Sequence, residues 1–310
     1  MTEPRSDVRI AVPPLAHVGG CGCPLHQRRL FTGLVGLAAA GSMAPATVLA
    51  QDGEGVRGDV GKTSRFAKLV PAEQVEKAAA AQYLQMQREA AQQRALAPAS
   101  HPQVVRLRAI AQRLIPYTMP WNPRASSWKW EVNLIDDKQL NAFCMPGGKI
   151  AFYYGILQQL QLSDAEVATI MGHEMAHALR EHARERMGKT AATRIGANLL
   201  SSLFGLGSAG DALLGMGAQL LTLRFSREDE SEADIVGMEL AARAGYDPAA
   251  GITLWQKMLE ASKGAPPEFM STHPPGEKRI REIEGMLPKV NGLYANAPKP
   301  PRQFGPPLKS

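Results

Sequence analysis

The segment GHEMAH at residues 172–177 constrains the fold of this 310-residue chain more than any other stretch of its sequence. His173 and His177 are four residues apart, so a helix places both imidazoles on one face, about one turn apart. Glu174 lies to the side of that face, where its carboxylate can reach a metal-bound water without itself binding the metal. Two histidine ligands and a neighbouring general base are what the pattern H-E-x-x-H supplies. The segment therefore predicts a helix that binds one zinc ion.

The predicted metal helix needs a third ligand from elsewhere in the chain. It begins at a capping box formed by Ser163 and Glu166, and it is predicted to end at Gly188. A catalytic zinc ion has three protein ligands and keeps one position for water. A third histidine on the same helix is excluded, because the metzincin pattern requires histidine where this chain has Ala183.

The third ligand is expected in the acidic segment SREDESEAD, which opens the next capped helix. Its candidates are Glu228, Asp229, Glu230, Glu232 and Asp234. Residues four apart share a helix face, so the useful pairs are Glu228 with Glu232 or Glu230 with Asp234. In such a pair one carboxylate can bind the metal while the other orients a ligand histidine. The spacing alone does not choose between the two pairs.

Four segments in chain order resemble one known family. They are NAFCMPGGKIAFYYGIL, GHEMAHALREHARERM, FSREDESEADIVGMELAARAGYDP and STHPPGEKRI. They are similar to the HtpX and CAAX-prenyl-endopeptidase family of zinc metallopeptidases, and closer to its soluble bacterial periplasmic and mitochondrial quality-control branch. The resemblance covers about residues 100–287. It implies an α+β, mainly helical fold with a zincin-like core, in which the edge strand of a small sheet borders the active-site helix.

The resemblance also selects among the acids of the second helix. It implies that Glu230 is the third zinc ligand and that Asp234 is the acid that orients a ligand histidine. Glu228 and Glu232 are then expected to be solvated charges on the helix face.

The resemblance suggests roles for two residues near the C-terminal end of the matched region. His273 is expected to be either a fourth ligand that holds a resting state closed or an oxyanion donor during turnover; the alternative is a loop histidine held by the prolines that follow it. Arg279 is expected to pair with a structural acid such as Asp234, or else to stabilise charge on the reaction intermediate. His182, five residues after the second ligand, is expected at the surface, and His101 is expected to have a structural role.

A strand predicted at residues 148–153 is expected to supply the substrate site. In the family this strand is an edge strand beside the metal helix, and its unpaired backbone groups could add a substrate strand by β-augmentation. The residues involved would be Gly148, Lys149, Ile150, Ala151 and Phe152. This mode of binding selects an extended backbone more than particular side chains, so unfolded polypeptides are the expected substrates.

The first 50 residues are typical of an export signal. Arg28 and Arg29 precede an apolar run and a small-residue cleavage site that ends at Ala50. The paired arginines resemble those of twin-arginine signals. We therefore expect removal of residues 1–50 and a periplasmic location. The mature chain would keep Cys144 as its only cysteine, so it would contain no internal disulfide.

The rest of the chain divides by composition into three parts. Residues 51–70 are predicted to be a linker, residues 71–295 a single zinc metallopeptidase domain, and residues 296–310 a Pro-rich disordered tail. Within the domain, residues 195–223 are rich in Gly, Ala and Leu. We interpret them as a helical hairpin that could contact a membrane surface, with a membrane span as the alternative.

These predictions combine into one expected activity. The net charge of +6 is spread without a basic stripe, which argues against nucleic-acid binding. We expect an exported zinc-dependent endopeptidase that cleaves unfolded or misassembled envelope proteins, with outer-membrane protein precursors as candidate substrates. Glu174 would assist the attack of zinc-bound water on a peptide carbonyl. The alternative is a zinc-stabilised chaperone that binds extended strands without cleaving them, although such a protein needs no general base.

Overall fold

The computed structural model describes residues 55–193, 209–263, 268–273 and 277–308. These residues form a mainly helical α+β structure, as predicted. In chain order the helices are α1 (Ala72–Gln92), α2 (Pro102–Leu114), α3 (Tyr154–Gln159), α4 (Asp164–Leu179), α5 (His182–Thr193), α6 (Ala209–Thr222), α7 (Arg227–Arg243), α8 (Ala250–Ala261), α9 (Glu268–Thr272) and α10 (Glu277–Asn296).

A three-stranded sheet precedes the metal helix in the chain, with the strand order β1-β3-β2. Its strands are β1 (Glu131–Ile135), β2 (Ala142–Met145) and β3 (Lys149–Tyr153). β3 pairs with β1 in parallel and with β2 in antiparallel orientation. Gly147 and Gly148 make the turn from β2 to β3 with φ angles of 85° and 77°, a conformation that favours glycine.

The predicted edge strand is the middle strand of this sheet, so that prediction is wrong. β3 has neighbours on both sides, and four of its five residues are buried. A strand with consecutive buried residues is covered on both faces, as central strands are. Among the described strands, the edge strand that packs against α4 is β2.

Helices α4 and α7 pack closely against each other and form the centre of the fold. They cross where glycine meets glycine. A Cβ atom on Gly172 would lie 2.7 Å from the carbonyl oxygen of Gly237, and a Cβ on Gly237 would lie 2.6 Å from the backbone nitrogen of His173. No side chain fits between the two backbones at this point, so the glycines allow the short distance between the helices.

The metal helix ends earlier than predicted. α4 runs to Leu179 rather than to Gly188, and α5 starts at His182 in a new direction. Glu181 between them has a φ of 60°, which lies in the left-handed region that interrupts a right-handed helix.

The predicted linker and tail both make specific contacts with the domain. In the described part of the linker, Val56 is buried and its N–H donates to Glu239. In the tail, the N–H groups of Phe304 and Gly305 donate to the carboxylate of Asp164. The described part of the tail is therefore ordered, contrary to the prediction, because the buried carboxylate of Asp164 binds its backbone. The boundaries of the domain itself stay a prediction.

The predicted export signal lies outside the described residues, as does much of the predicted hairpin at 195–223. The second part of the predicted hairpin is α6, which packs on α1 with Met216 buried against Val75 and Ala78. No helix in the described ranges combines the length and the apolar character that a membrane span requires.

Candidate metal centre

Four side chains from separate parts of the chain converge in one buried cluster. His173 and His177 come from α4, Glu230 comes from the first turn of α7, and His273 follows α9. One ligand atom from each lies within 4.8 Å of the others. None of the four residues is more than 3% exposed.

The distances in this cluster fit a tetrahedral zinc ion. The Nε2 atoms of His173 and His177 are 3.1 Å apart, and Nδ1 of His273 is 3.0 Å from Oε1 of Glu230. Oε1 of Glu230 lies 3.5 Å from Nε2 of His177. Two atoms that each lie about 2 Å from a zinc ion at a tetrahedral angle are roughly 3.3 Å apart. The donor set and its spacing therefore fit zinc.

A buried carboxylate oxygen next to the cluster supports the same conclusion. Oε1 of Glu174 has no hydrogen-bond partner in the described part of the chain, although the residue is only 3% exposed. A buried polar atom without a partner is costly unless a ligand or water satisfies it. Nε2 of His273 lies 3.5 Å away. Glu174 thus directs a free acceptor towards the position that H-E-x-x-H assigns to water.

The acid predicted to orient a ligand histidine lies behind His173. Oδ1 of Asp234 is 3.0 Å from Nδ1 of His173, on the side of the ring opposite the cluster. This contact places a proton on Nδ1 and leaves Nε2 as the ligand atom. Arg279 donates to both oxygens of Asp234, at 2.6 and 2.7 Å, and its guanidinium lies 3.8 Å above the ring of Trp255. Arg279 therefore lies beside the acid with which it was expected to pair.

Charge in the cluster favours the binding of a cation. Burial alone would raise the pKa of Glu230, but hydrogen bonds with His173 and His273 outweigh it and hold that pKa well below its ordinary value. Burial holds the pKa of His177 well below its ordinary value, so the imidazole is neutral. Burial also lowers the pKa of His173, but Asp234 and Glu230 overcome this and raise it to about 9. Two anions that attract a proton so strongly also attract a metal cation.

Glu174 has the protonation behaviour expected of a general base. Burial raises its pKa, an effect that the neighbouring His273 and His173 and the backbone amide of Cys144 partly offset. A carboxylate accepts a proton more readily as its pKa rises towards the working pH.

The acids of α7 have separate positions. Glu230 is in the cluster, Asp234 is behind His173, Asp229 completes the capping box with Ser226, Glu228 is exposed, and Glu232 pairs with Arg180. The prediction that Glu232 is a solvated charge is wrong, since its side chain is only 25% exposed and is bonded to Arg180.

Two histidines outside the predicted site differ in how they match expectation. His101 caps α2 by accepting from the N–H of Gln103, a structural role as expected. His182 is 1% exposed, so its predicted surface position is wrong. A continuous helix would have turned His182 away from the ligands, but the left-handed residue Glu181 redirects the chain. Nothing in the sequence indicates this turn, because glycine is the usual residue there.

The five residues predicted to bind substrate do not form an edge. Ile150 and Phe152 are fully buried in the core, and Lys149 is paired with Glu131. The edge strand beside α4 is β2, which the sequence did not indicate as a substrate site. The N–H of Tyr153 donates to the carbonyl of Asn141, and hydrogen-bonding groups alternate along an antiparallel pair. Ala142 and Cys144 of β2 therefore direct their backbone groups away from β3.

Sequence comparison finds relatives of the part of the chain that contains this cluster. The profile of peptidase family M48 matches residues 102–287. The mitochondrial metalloendopeptidase OMA1 of Schizosaccharomyces pombe is 36% identical over 196 residues, which cover 62% of this chain and 56% of that protein. OMA1 of Arabidopsis thaliana is 40% identical over 152 residues, or 49% of this chain and 30% of the relative. The beta-barrel assembly-enhancing protease of Escherichia coli is 31% identical over 175 residues, or 53% of this chain and 36% of the relative. The chain thus spans between 30% and 56% of these three relatives.

Proposed function

The chain belongs to peptidase family M48, as its motifs predicted, and we propose that it is an exported zinc metalloendopeptidase that cleaves unfolded or misassembled envelope proteins. The observation that carries this proposal is the convergence of His173, His177 and Glu230 around one point, with the unpartnered carboxylate oxygen of Glu174 beside it. In this proposal His173, His177 and Glu230 hold the zinc ion.

The reaction divides between the ion and the protein. When bound, zinc supplies a Lewis acid that polarises a peptide carbonyl and lowers the pKa of water. Glu174 accepts a proton from the attacking water and returns it to the departing amine. Its burial favours the first step, since a raised pKa makes the carboxylate a better proton acceptor. Asp234 and Arg279 keep His173 in the orientation that the site requires.

His273 keeps two proposed roles. Its Nδ1 lies 3.0 Å from Glu230 and 3.3 Å from Nε2 of His173, which supports a fourth ligand in this conformation. Its Nε2 lies 3.5 Å from Glu174, which is where an oxyanion donor would also be needed. A fourth protein ligand occupies the position for water, so exchange between the two roles would separate a resting state from an active one.

The substrate is proposed to bind along β2 rather than β3. The outward carbonyl groups of Ala142 and Cys144 are those that an added strand would use, and the N–H of Cys144 is close enough to Glu174 to lower its pKa. The N–H of Ala142 already donates to Oδ1 of Asn141, 2.9 Å away. A peptide on this edge would pass directly beside the general base. Recognition through the backbone favours extended, unfolded polypeptides over folded ones.

The proposed location and natural substrates follow from the N-terminal sequence and from the relatives. The name of one relative refers to β-barrel assembly, and the names of the others refer to mitochondria. The arginine pair, apolar run and cleavage site at the N-terminus favour a periplasmic enzyme, with precursors of outer-membrane proteins as substrates. Contact with the membrane surface through residues 195–223 belongs to the same proposal.

Cleavage of a denatured substrate tests this function. Casein and an unfolded β-barrel protein would be incubated with the wild-type chain and with Glu174→Gln, which keeps the side chain's shape but removes its basicity. We expect fragments from the wild type and a loss of rate of about 10²- to 10⁴-fold in the variant, which still binds zinc. Equal cleavage by both proteins would contradict the proposed role of Glu174. Suppressed aggregation without cleavage by either would support the chaperone instead.

A further inference from the structure

A second buried histidine lies behind the ligand His177. Nδ1 of His182 is 2.9 Å from Nδ1 of His177, on the side of the ring opposite the cluster. Nε2 of His182 lies 3.4 Å from Oε2 of Glu232, whose other oxygen accepts from Arg180. The three groups thus form a chain from the partly exposed carboxylate of Glu232 through the buried imidazole of His182 to that of His177.

The protons of this chain can be placed by elimination. His177 presents Nε2 to the cluster, 3.1 Å from Nε2 of His173, so that nitrogen must carry a lone pair to bind a metal. Its Nδ1 then carries the proton and donates it to Nδ1 of His182, which must be an acceptor. The remaining proton of a neutral His182 is on Nε2, where it faces the anionic Glu232. One carboxylate therefore fixes the tautomers of two rings.

The other ligand histidine has a shorter version of the same support. His173 donates directly to Asp234, which is neutralised by Arg279, whereas His177 donates to Glu232 through His182, with Arg180 as the arginine. Both acids come from α7, where Glu232 and Asp234 lie on either side of Ala233. The proposed ligand Glu230 precedes them on the same helix. Helix α7 therefore supplies one proposed ligand, Glu230, and one supporting acid for each of the two histidines.

We infer that His182 and Glu232 are positioning residues for the zinc ligand His177: they hold its Nδ1–H tautomer and direct its Nε2 towards the metal. This inference rests on the proposed function of the cluster as a zinc site. Stacking of His177 on Phe225, with ring centroids 4.0 Å apart, restrains the ring plane but leaves the tautomer open. His182 supplies the hydrogen bond that selects it.

A matched pair of variants separates this role from simple space filling. Asparagine and leucine have nearly the same shape, but Oδ1 of asparagine can accept from His177 at the place where Nδ1 of histidine does. His182→Asn should therefore retain zinc affinity to within a few fold. His182→Leu should lose about 10- to 100-fold, the usual cost of removing a group that orients a metal ligand. Affinity would be measured by competition with a chromophoric zinc chelator, and the visible spectrum of the Co²⁺-substituted proteins would report any change in ligand geometry.

The outcomes distinguish this inference from the proposed function. Zinc affinities equal to wild type in both variants, or equally reduced in both, would overturn the positioning role while leaving the zinc site intact. A wild-type chain that binds no zinc would overturn both proposals. Should His182→Leu fail to fold, Glu232→Gln tests the same chain from its other end, with a loss of several fold expected. Glu228→Gln, an exposed acid on the same helix, is its control and should change nothing.

Discussion

Helices α4 and α7 both begin at a serine capping box and both contribute to the candidate metal centre, but they hold their proposed ligands differently. His173 and His177 lie in the second half of α4, where every residue from Val167 to Leu179 is buried. Glu230 lies in the first turn of α7, four residues after the capping Ser226. The hydrophobic core thus fixes the histidines, whereas a cap and neighbouring charges fix the glutamate.

This difference teaches which changes should disturb the site. A ligand inside a buried helix is insensitive to fraying of the helix end, because packing on all sides holds it. A ligand in a first turn moves when the end of its helix loosens. Substitutions on α7 should therefore affect zinc binding more than equivalent substitutions on α4 that spare the histidines.

The largest effect is expected from Glu230→Gln, which removes the only proposed carboxylate ligand. It also leaves Arg279, whose Nη1 lies 2.8 Å from Oε2 of Glu230, with one anion fewer. We expect a loss of zinc affinity of about 100-fold or more and a parallel loss of peptidase activity, which metal analysis after dialysis and a casein assay would measure. Glu228→Gln is the matched control. Full zinc occupancy in the Glu230 variant would show that its carboxylate is not a ligand.

The next effect is expected where the two helices cross. In Gly237→Ala the new methyl group would lie 2.6 Å from the backbone of His173, so the helices must separate. We expect the free energy of unfolding to fall by about 1–3 kcal/mol and zinc affinity to fall with it. Denaturant unfolding would measure the first and chelator competition the second.

Gly285→Ala provides the comparison for that variant. Gly285 lies in α10, and a Cβ there meets no described atom within 4 Å. Alanine at this position should leave zinc binding unchanged and stabilise the chain by about 0.5–1 kcal/mol. A Gly237→Ala protein as stable as wild type would contradict the close crossing of α4 and α7.

The smallest effects separate the two helix caps. Ser163→Ala and Ser226→Ala each remove one capping hydrogen bond, and each should lower the free energy of unfolding by about 1 kcal/mol. Only Ser226→Ala should also weaken zinc binding, by a few fold, because Glu230 lies one turn from that cap. If both variants bound zinc equally, the cap would not be what positions the glutamate.

The same contrast explains how much the sequence could predict. The two proposed ligand histidines and the proposed base on α4 form a local pattern, since helix geometry alone places residues 173 and 177 together. On α7 the spacing left two pairs of acids open, and only a family resemblance selected Glu230. The choice among these acids depends on which of them face α4, and that is decided by contacts between distant parts of the chain.

The features that were predicted wrongly depend on tertiary structure in the same way. The order of three strands is not encoded in any one of them, so the sequence did not show that β3 is the middle strand and that β2 is the edge strand packed against α4. The buried position of His182 depends on the left-handed backbone conformation of Glu181. A glutamate does not indicate such a conformation in a sequence. The capping box of Ser163 and Glu166, by contrast, was predicted and is confirmed. It could be predicted because its two residues lie within one helical turn.

X-ray absorption at the zinc edge of the purified chain tests the central claim most directly. We expect one zinc ion per chain with only nitrogen and oxygen neighbours, at about 2.0–2.2 Å, and with the outer-shell scattering of imidazole rings. Glu230→Ala should lose the ion or replace one neighbour. A folded wild-type chain without zinc, or a spectrum with a sulfur neighbour at about 2.3 Å, would contradict a site made by His173, His177 and Glu230.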